Sequence, residues 1–427
     1  MKLLADWMDD AENAAPEERV TVADVRLLVD SRNVMQHFAD GELSDHATIA
    51  LYGLAHGLTH DWWSIFGGRD REFSLLNYRS GYLLPDVRFW FDGSAFEVEV
   101  QEKAYRDPDL RFWGGMKQTL SREEGEAALG GMIEMILTRL KAKGIEGTSA
   151  QLRWKRVQHS RKSGELRFCE TAGSLGLDPY AIEDDAADFI ERAEQIFEPE
   201  PLMEFAAGAK GAKPAPLLDW VDRMRRFRGF RYRLADLGPM AKQVERDTPQ
   251  KAGEAAWAVG YRRARKMRKA LNMSQNDRLA SYRELAKLLG GGASYNIADH
   301  VDGIKALRSE REDGIQIHLR SQGQTGDARS GHLFALARAV GDVVCFPKSA
   351  LAPINDAHHA YRQAAGRAFA AEFLAPIDEI RSMIRDRKDL VTIASTFSVS
   401  SAVIEHQVEN RKRIDTACSE GVPASFC

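Results

Sequence analysis

Cysteine is scarce in this 427-residue chain: Cys169, Cys345, Cys418 and Cys427, with no CxxC pair and no zinc-ribbon spacing. That excludes a disulfide-built scaffold, and the four read as free, inert thiols of a reducing compartment. Long apolar runs are absent too. No stretch of eighteen apolar residues occurs, so no segment has the length of a membrane-spanning helix. The opening residues, MKLLADWMDDAENAAPEERV, turn acidic before a signal-peptide core can form, which predicts a cytosolic protein with no membrane partner. Proline (14) and glycine (34) are sparse and aperiodic, which excludes collagen-like and low-complexity chains. No internal repeat of fixed period is present.

What is there is ordinary globular material: 44% apolar and 29% charged residues, in a chain long enough for two or three domains. The net charge of −4 conceals an asymmetry. Glu170 to Glu204 holds eleven acids against one base, Arg192, and Val221 to Lys269 holds fifteen bases against five acids. Adjacent blocks of opposite sign either pair with each other or serve a charged partner.

VTVADVRLLVD followed by DSRN reads as a strand and a turn, and HATIALYGLAHGLTHDWWSIF as a helix with an aromatic end. VRFWFDGSAFEVEV predicts a β-hairpin about Asp92-Gly93, with Phe96, Val98 and Val100 on its dry face. REEGEAALGGMIEMILTRLKAKG is an amphipathic helix. Residues 1–150 therefore read as an α+β domain, 151–205 as an acidic helical connector, and 206–217 (AAGAKGAKPAPL) as a linker. Residues 218–427 read as a mainly helical domain. The fold class is multi-domain α+β.

In the C-terminal third, GHLFALARAVGDVVCFP and then AYRQAAGRAFAAEFLAP resemble the core of the ImmA/IrrE-type metallopeptidase family. The resemblance rests on Phe334, Leu336, Ala337, Gly341, Phe369, Ala370, Ala371, Glu372, Leu374 and Pro376, and it covers roughly residues 235–413. It implies a zincin-like domain. Zinc chemistry of that kind needs two histidines at i and i+4, a glutamate between them as general base, and a third ligand. In this chain the first histidine falls on Arg338, the glutamate on Ala339, the second histidine on Asp342, and the third ligand on Ala365, or Gln363 with a two-residue slip. A guanidinium does not give up its proton to bind zinc, and a methyl group accepts none from water. No metal, cofactor or catalytic residue is expected there. Arg338 and Asp342 are spaced for a helical ion pair worth a few tenths of a kcal/mol if exposed.

Three other constellations carry residue types suited to metal or catalytic work. His56 and His60 have helical ligand spacing, but Gly57 stands where a base would be. His358 and His359 lie beside Asp356 without a shared direction. Pro85-Asp86 and Gln101-Glu102-Lys103 loosely imitate a metal nuclease, an alternative reading in which Asp86 holds magnesium and Lys103 steadies water.

Nucleic-acid or partner binding has a stronger compositional basis. Arg225, Arg226, Arg228 and Arg231 interleave with Phe227, Phe230 and Tyr232, and Arg262, Arg265, Lys266 and Lys269 share one helix face. The closing pair, IASTFSVSSAVIEHQVENR, has helix-turn-helix spacing, but Glu405 and Glu409 occupy its second helix, and packing is its expected role. The sequence reads as a non-catalytic, ImmA/IrrE-like regulatory protein. It would bind a protein partner or nucleic acid in a bacterial stress, mobile-element or phage-defence setting. The alternatives are a DNA-binding regulator using residues 223–269 and an active metal-dependent hydrolase.

Overall fold

The computed structural model describes residues 1–8, 15–39, 42–105, 110–251, 253–292, 295–321 and 328–419. Two compact units emerge, Met1–Ile190 and Glu191–Cys427. Among the described residues no helix is long and apolar enough to cross a membrane. The α+β reading holds.

The first unit runs β1 (Lys2–Trp7), a single turn α1 (Pro16–Arg19), β2 (Val22–Val29), β3 (Arg32–Asn33), β4 (His37–Ala39), β5 (Glu42–Ser44), β6 (Ala47–Ala50) and α2 (Tyr52–Gly67). After these come β7 (Phe73–Ser74), β8 (Asp86–Phe91), β9 (Phe96–Gln101), β10 (Lys103–Ala104), β11 (Arg111–Phe112) and β12 (Met116–Leu120). The helices α3 (Arg122–Ala142), α4 (Ser149–Ser160), α5 (Leu166–Leu175) and α6 (Asp184–Glu194) follow, and the division into units falls within α6.

Three antiparallel sheets result, with β2 central in the first, β4 and β11 adjacent in the second, and the order β12-β9-β8-β7 in the third. The expected turn after β2 forms at Asp30 and Ser31, both with positive φ. The β8–β9 hairpin closes over four residues rather than two, because Asp92 accepts the backbone N–H groups of Ser94 and Ala95 at 2.7 Å each. Its dry face is as expected: Phe96, Val98 and Val100 are buried. Onto that face packs the aromatic end of α2, where the Phe66 and Phe96 rings stack at 5.5 Å. Trp62 meets Trp154 of α4 edge-on at 4.9 Å. Burial of each such side chain stabilises by about 2 kcal/mol. Thus α4 and α5, in the stretch read as a connector, supply Trp154, Val157 and Cys169 to the first core.

The second unit comprises α7 (Pro199–Ala209), α8 (Pro214–Arg226), β13 (Arg233–Leu234), α9 (Leu237–Asp247), α10 (Ala256–Ala270), α11 (Tyr282–Leu288), β14 (Ala306–Arg311), β15 (Gly314–Leu319), α12 (Ala328–Cys345), β16 (Leu351–Ile354), α13 (Tyr361–Leu374), α14 (Ile377–Arg385), α15 (Leu390–Phe397) and α16 (Ser401–Ser419). One antiparallel sheet, β13-β15-β14-β16, packs against α12. The expected linker is not one. Ala206, Ala207 and Ala209 of α7 and Leu217 of α8 are buried, so small residues there serve close packing rather than flexibility.

Helices α10 and α13 meet at Gly260, where an added Cβ would lie 2.5 Å from the Ala365 carbonyl oxygen. The closing pair packs as expected, through Ile393, Phe397, Val399 and Ile404. Cys169 and Cys345 are free and buried. Cys427 and the Cys418 side chain lie outside the description.

Candidate functional site

Helix α12 presents Arg338 and Asp342 one turn apart, but they do not form the expected i, i+4 pair. Both are buried, and each takes other partners. Asp342 is held by Arg362 of α13, whose Nε donates to Oδ1 at 2.6 Å and Nη2 to Oδ2 at 2.8 Å. From β14 the Arg308 Nε lies 2.7 Å from the same Oδ2, and its Nη2 donates to the Phe346 carbonyl at 2.7 Å. A two-pronged fork on one side and a second guanidinium on the other leave this carboxylate fully engaged. Burial drives the Arg308 guanidinium down to about 10, reinforced by the neighbouring Arg362 and opposed by Asp342. Burial also opposes the Arg362 charge, but Asp342 outweighs it and the net displacement is upward.

Arg338 turns toward the segment after β16. Its Nη1 donates to Asp356 Oδ1 at 3.2 Å, and its Nη2 to the Asn355 carbonyl and to Gln363 Oε1. Gln363 in turn donates from Nε2 to Glu204 of α7 at 3.0 Å and accepts from the Asn355 N–H at 3.1 Å. Lys305 reaches Asp356 at 2.8 Å. The positions aligned with the general base and third ligand, Ala339 and Ala365, are wholly buried in the apolar core. Zinc therefore does not fit the residues present: one carboxylate is spent on two cations, and an arginine stands where a histidine is needed. Among the described residues no group of three histidine, cysteine, aspartate or glutamate side chains is placed to hold a metal ion.

The basic helix is largely spent on its own unit. Arg262 forks onto Glu254 at 2.7 to 3.1 Å, Arg265 pairs with the buried Glu372 at 2.6 Å, and Lys266 with Asp247 at 2.9 Å. Arg263 and Arg268, which looked like surface charge, are buried and donate to backbone carbonyls. Of the predicted face only Lys269 stands exposed without an ion pair among the described residues. Arg225 and Arg226 share Asp222, at 2.6 and 2.8 Å. Arg228 donates to the carbonyls of Arg226 and Phe227, and Arg231 is exposed beside Phe230, which is 66% exposed. Three acids of the 170–204 block meet bases outside this set. Glu170 pairs with Arg122 and Asp178 with Arg153, and Glu200 lies 3.9 Å from Arg362.

The remaining candidates do not assemble. The rings of His56 and His60 are 4.5 Å apart, and a Cβ at Gly57 would strike the Tyr78 ring at 2.0 Å, so a base between them is sterically barred. Asp86 sits opposite Gln101 in the hairpin, and its carboxylate accepts from Arg88 at 2.9 Å and Ser74 at 3.0 Å. Glu102 pairs with Arg111 at 3.3 Å, and Lys103 lies in another sheet, 5.6 Å from the Tyr105 ring centre. Each acid of the supposed nuclease already faces a cation of its own. The His358 carbonyl accepts from Arg367 at 2.7 Å, and Asp356 serves Arg338 and Lys305.

Arg308, Arg362, Asn355 and Glu204 were not singled out from the sequence. A usable signal existed in the spacing of α13, since Arg362 lies one turn before Gly366 on the side facing α12. No protein-family model, curated protein or solved structure matches this chain.

Proposed function

We propose that the second unit is a non-hydrolytic, ImmA/IrrE-like binding domain, and that the protein acts by engaging a protein partner in a bacterial stress, mobile-element or phage-defence setting. The observation that carries this reading is Asp342 clamped between Arg308 and Arg362, where the family's chemistry would need an open ligand. The internal use of Arg262, Arg265 and Lys266 favours a protein over a nucleic acid as that partner. The test is elemental analysis of the purified chain, with a proteolysis assay run with and without chelator. Substoichiometric zinc and no chelator-sensitive cleavage are expected. Stoichiometric zinc or such cleavage overturns the proposal.

A narrower nucleic-acid reading draws on Phe230, exposed between Arg228 and Arg231. It requires a single-strand mobility shift that weakens steeply with salt and disappears in Phe230→Ala.

A further inference from the structure

A cleft of about 790 Å³ opens in the first unit beside α4, and nothing in the reading of the second unit uses it. We propose that it binds a small phosphate-bearing anion of nucleotide size.

Its charged and titratable lining is mainly basic. His60, Arg153, Lys155, Arg156 and His159 face it, against the single carboxylate of Glu165. Lys155, Arg156 and His159 are exposed and have no ion-pair partner among the described residues, unlike most bases of α10. Arg153 is different. Its side chain is 8% exposed, it forks onto Asp178 at 2.8 and 2.6 Å, and its Nε is buried without a hydrogen-bond partner.

Two guanidiniums crowd one ring here: Arg153 lies 4.4 Å and Arg156 5.2 Å from the centre of Tyr180. Asp178 already meets the Arg153 charge, so the guanidinium left open to an anion at this ring is that of Arg156. The wall is fixed in advance. Trp63 donates to the Tyr180 hydroxyl at 3.1 Å, that hydroxyl to Ser160 at 3.2 Å, and Ser160 to Glu165 at 2.9 Å. This chain fixes Tyr180, the ring on which Arg156 lies, so that part of the binding face is ordered before a ligand arrives. Burial, then His56 and Arg153, hold the His60 imidazole below its ordinary value, against the weaker pull of Asp178 and Asp61.

The volume falls in the range of small-molecule sites and far exceeds one phosphate ion, so a diphosphate or nucleotide fills it better. Leu152 at the rim, 59% exposed, gives an apolar surface for a base or ring.

The full-length chain is titrated calorimetrically, in phosphate-free buffer, with inorganic phosphate, pyrophosphate, ATP and single-stranded oligonucleotides of increasing length. Pyrophosphate and ATP are expected to bind, with ATP tighter if Leu152 contributes. Arg156→Ala and Lys155→Ala each lose about tenfold or more in affinity, while Lys162→Ala, on an exposed residue outside the cleft, leaves it unchanged. Melting of the ligand-free variants checks their folding. Absence of binding by every probe, binding indifferent to Arg156→Ala in a folded variant, or affinity that climbs with oligonucleotide length overturns the proposal.

Discussion

Replacing Asp342 by asparagine tests the central feature of the second unit. The substitution keeps the shape of the side chain and removes its charge. Arg308 and Arg362, both buried, would then face each other across a neutral amide. Breaking a buried ion pair by removing one partner costs about 3–5 kcal/mol, because the stranded charge keeps its desolvation penalty. In a unit of this size each kcal/mol moves the melting point by about 2–4 °C, so a fall of about 10 °C is expected. Scanning calorimetry of the full chain reads it directly. Replacing the whole clamp with apolar side chains, Arg308→Met, Asp342→Leu and Arg362→Met together, should recover most of the loss and so show strong non-additivity. An Asp342→Asn variant that melts with the wild type would refute the clamp, and a surface pair worth tenths of a kcal/mol would then suffice.

His318 is fully buried with neither ring nitrogen hydrogen-bonded, and burial, then Arg311, push it down to about 3. The unfolded chain, with an ordinary histidine near 6.5, binds more protons in between, so stability is complete above about pH 6.5 and falls as pH drops. The cost at pH 5 is about 2 kcal/mol, and His318→Phe should remove that slope in denaturant titrations at pH 7 and 5. Gly260→Ala should destabilise by about 1–3 kcal/mol, because the new methyl meets α13 backbone that cannot yield; an unchanged denaturation midpoint would contradict the close approach. Burial pushes the Cys345 thiol up to about 12 and Cys169 up to about 11, so neither should react with a thiol reagent at pH 8 in the native state. Rapid labelling of either, mapped by mass spectrometry, would contradict that.

Local signals carried much of the fold. The turn at Asp30, the β8–β9 alternation and the aromatic end of α2 all follow from side-chain period and turn chemistry within a few residues. Helix α7 and the start of α8 were illegible for the opposite reason. Alanine, glycine, proline and lysine compose a linker equally well, and only distant partners decide that Ala206 and Leu217 are buried. The candidate site was half legible. That Arg338 and Ala339 cannot bind zinc shows in the residues themselves, but the network around Arg338 and Asp342 depends on Arg308, Arg362 and Glu204, far along the chain and brought together only by folding. Charge counting misled most on α10, where arginines expected on the surface turned out to reach backbone carbonyls inside it.

The Arg308–Asp342–Arg362 arrangement also restricts the mutational paths open to this domain. Any single exchange at the centre, Asp342→His for example, strands two buried cations, whereas removing one arginine leaves the carboxylate with only the other. A lineage that acquired this trio would need several coordinated changes to replace it, with less stable intermediates on the way. The trio would therefore act as a ratchet, holding all three residues in place once they have come together.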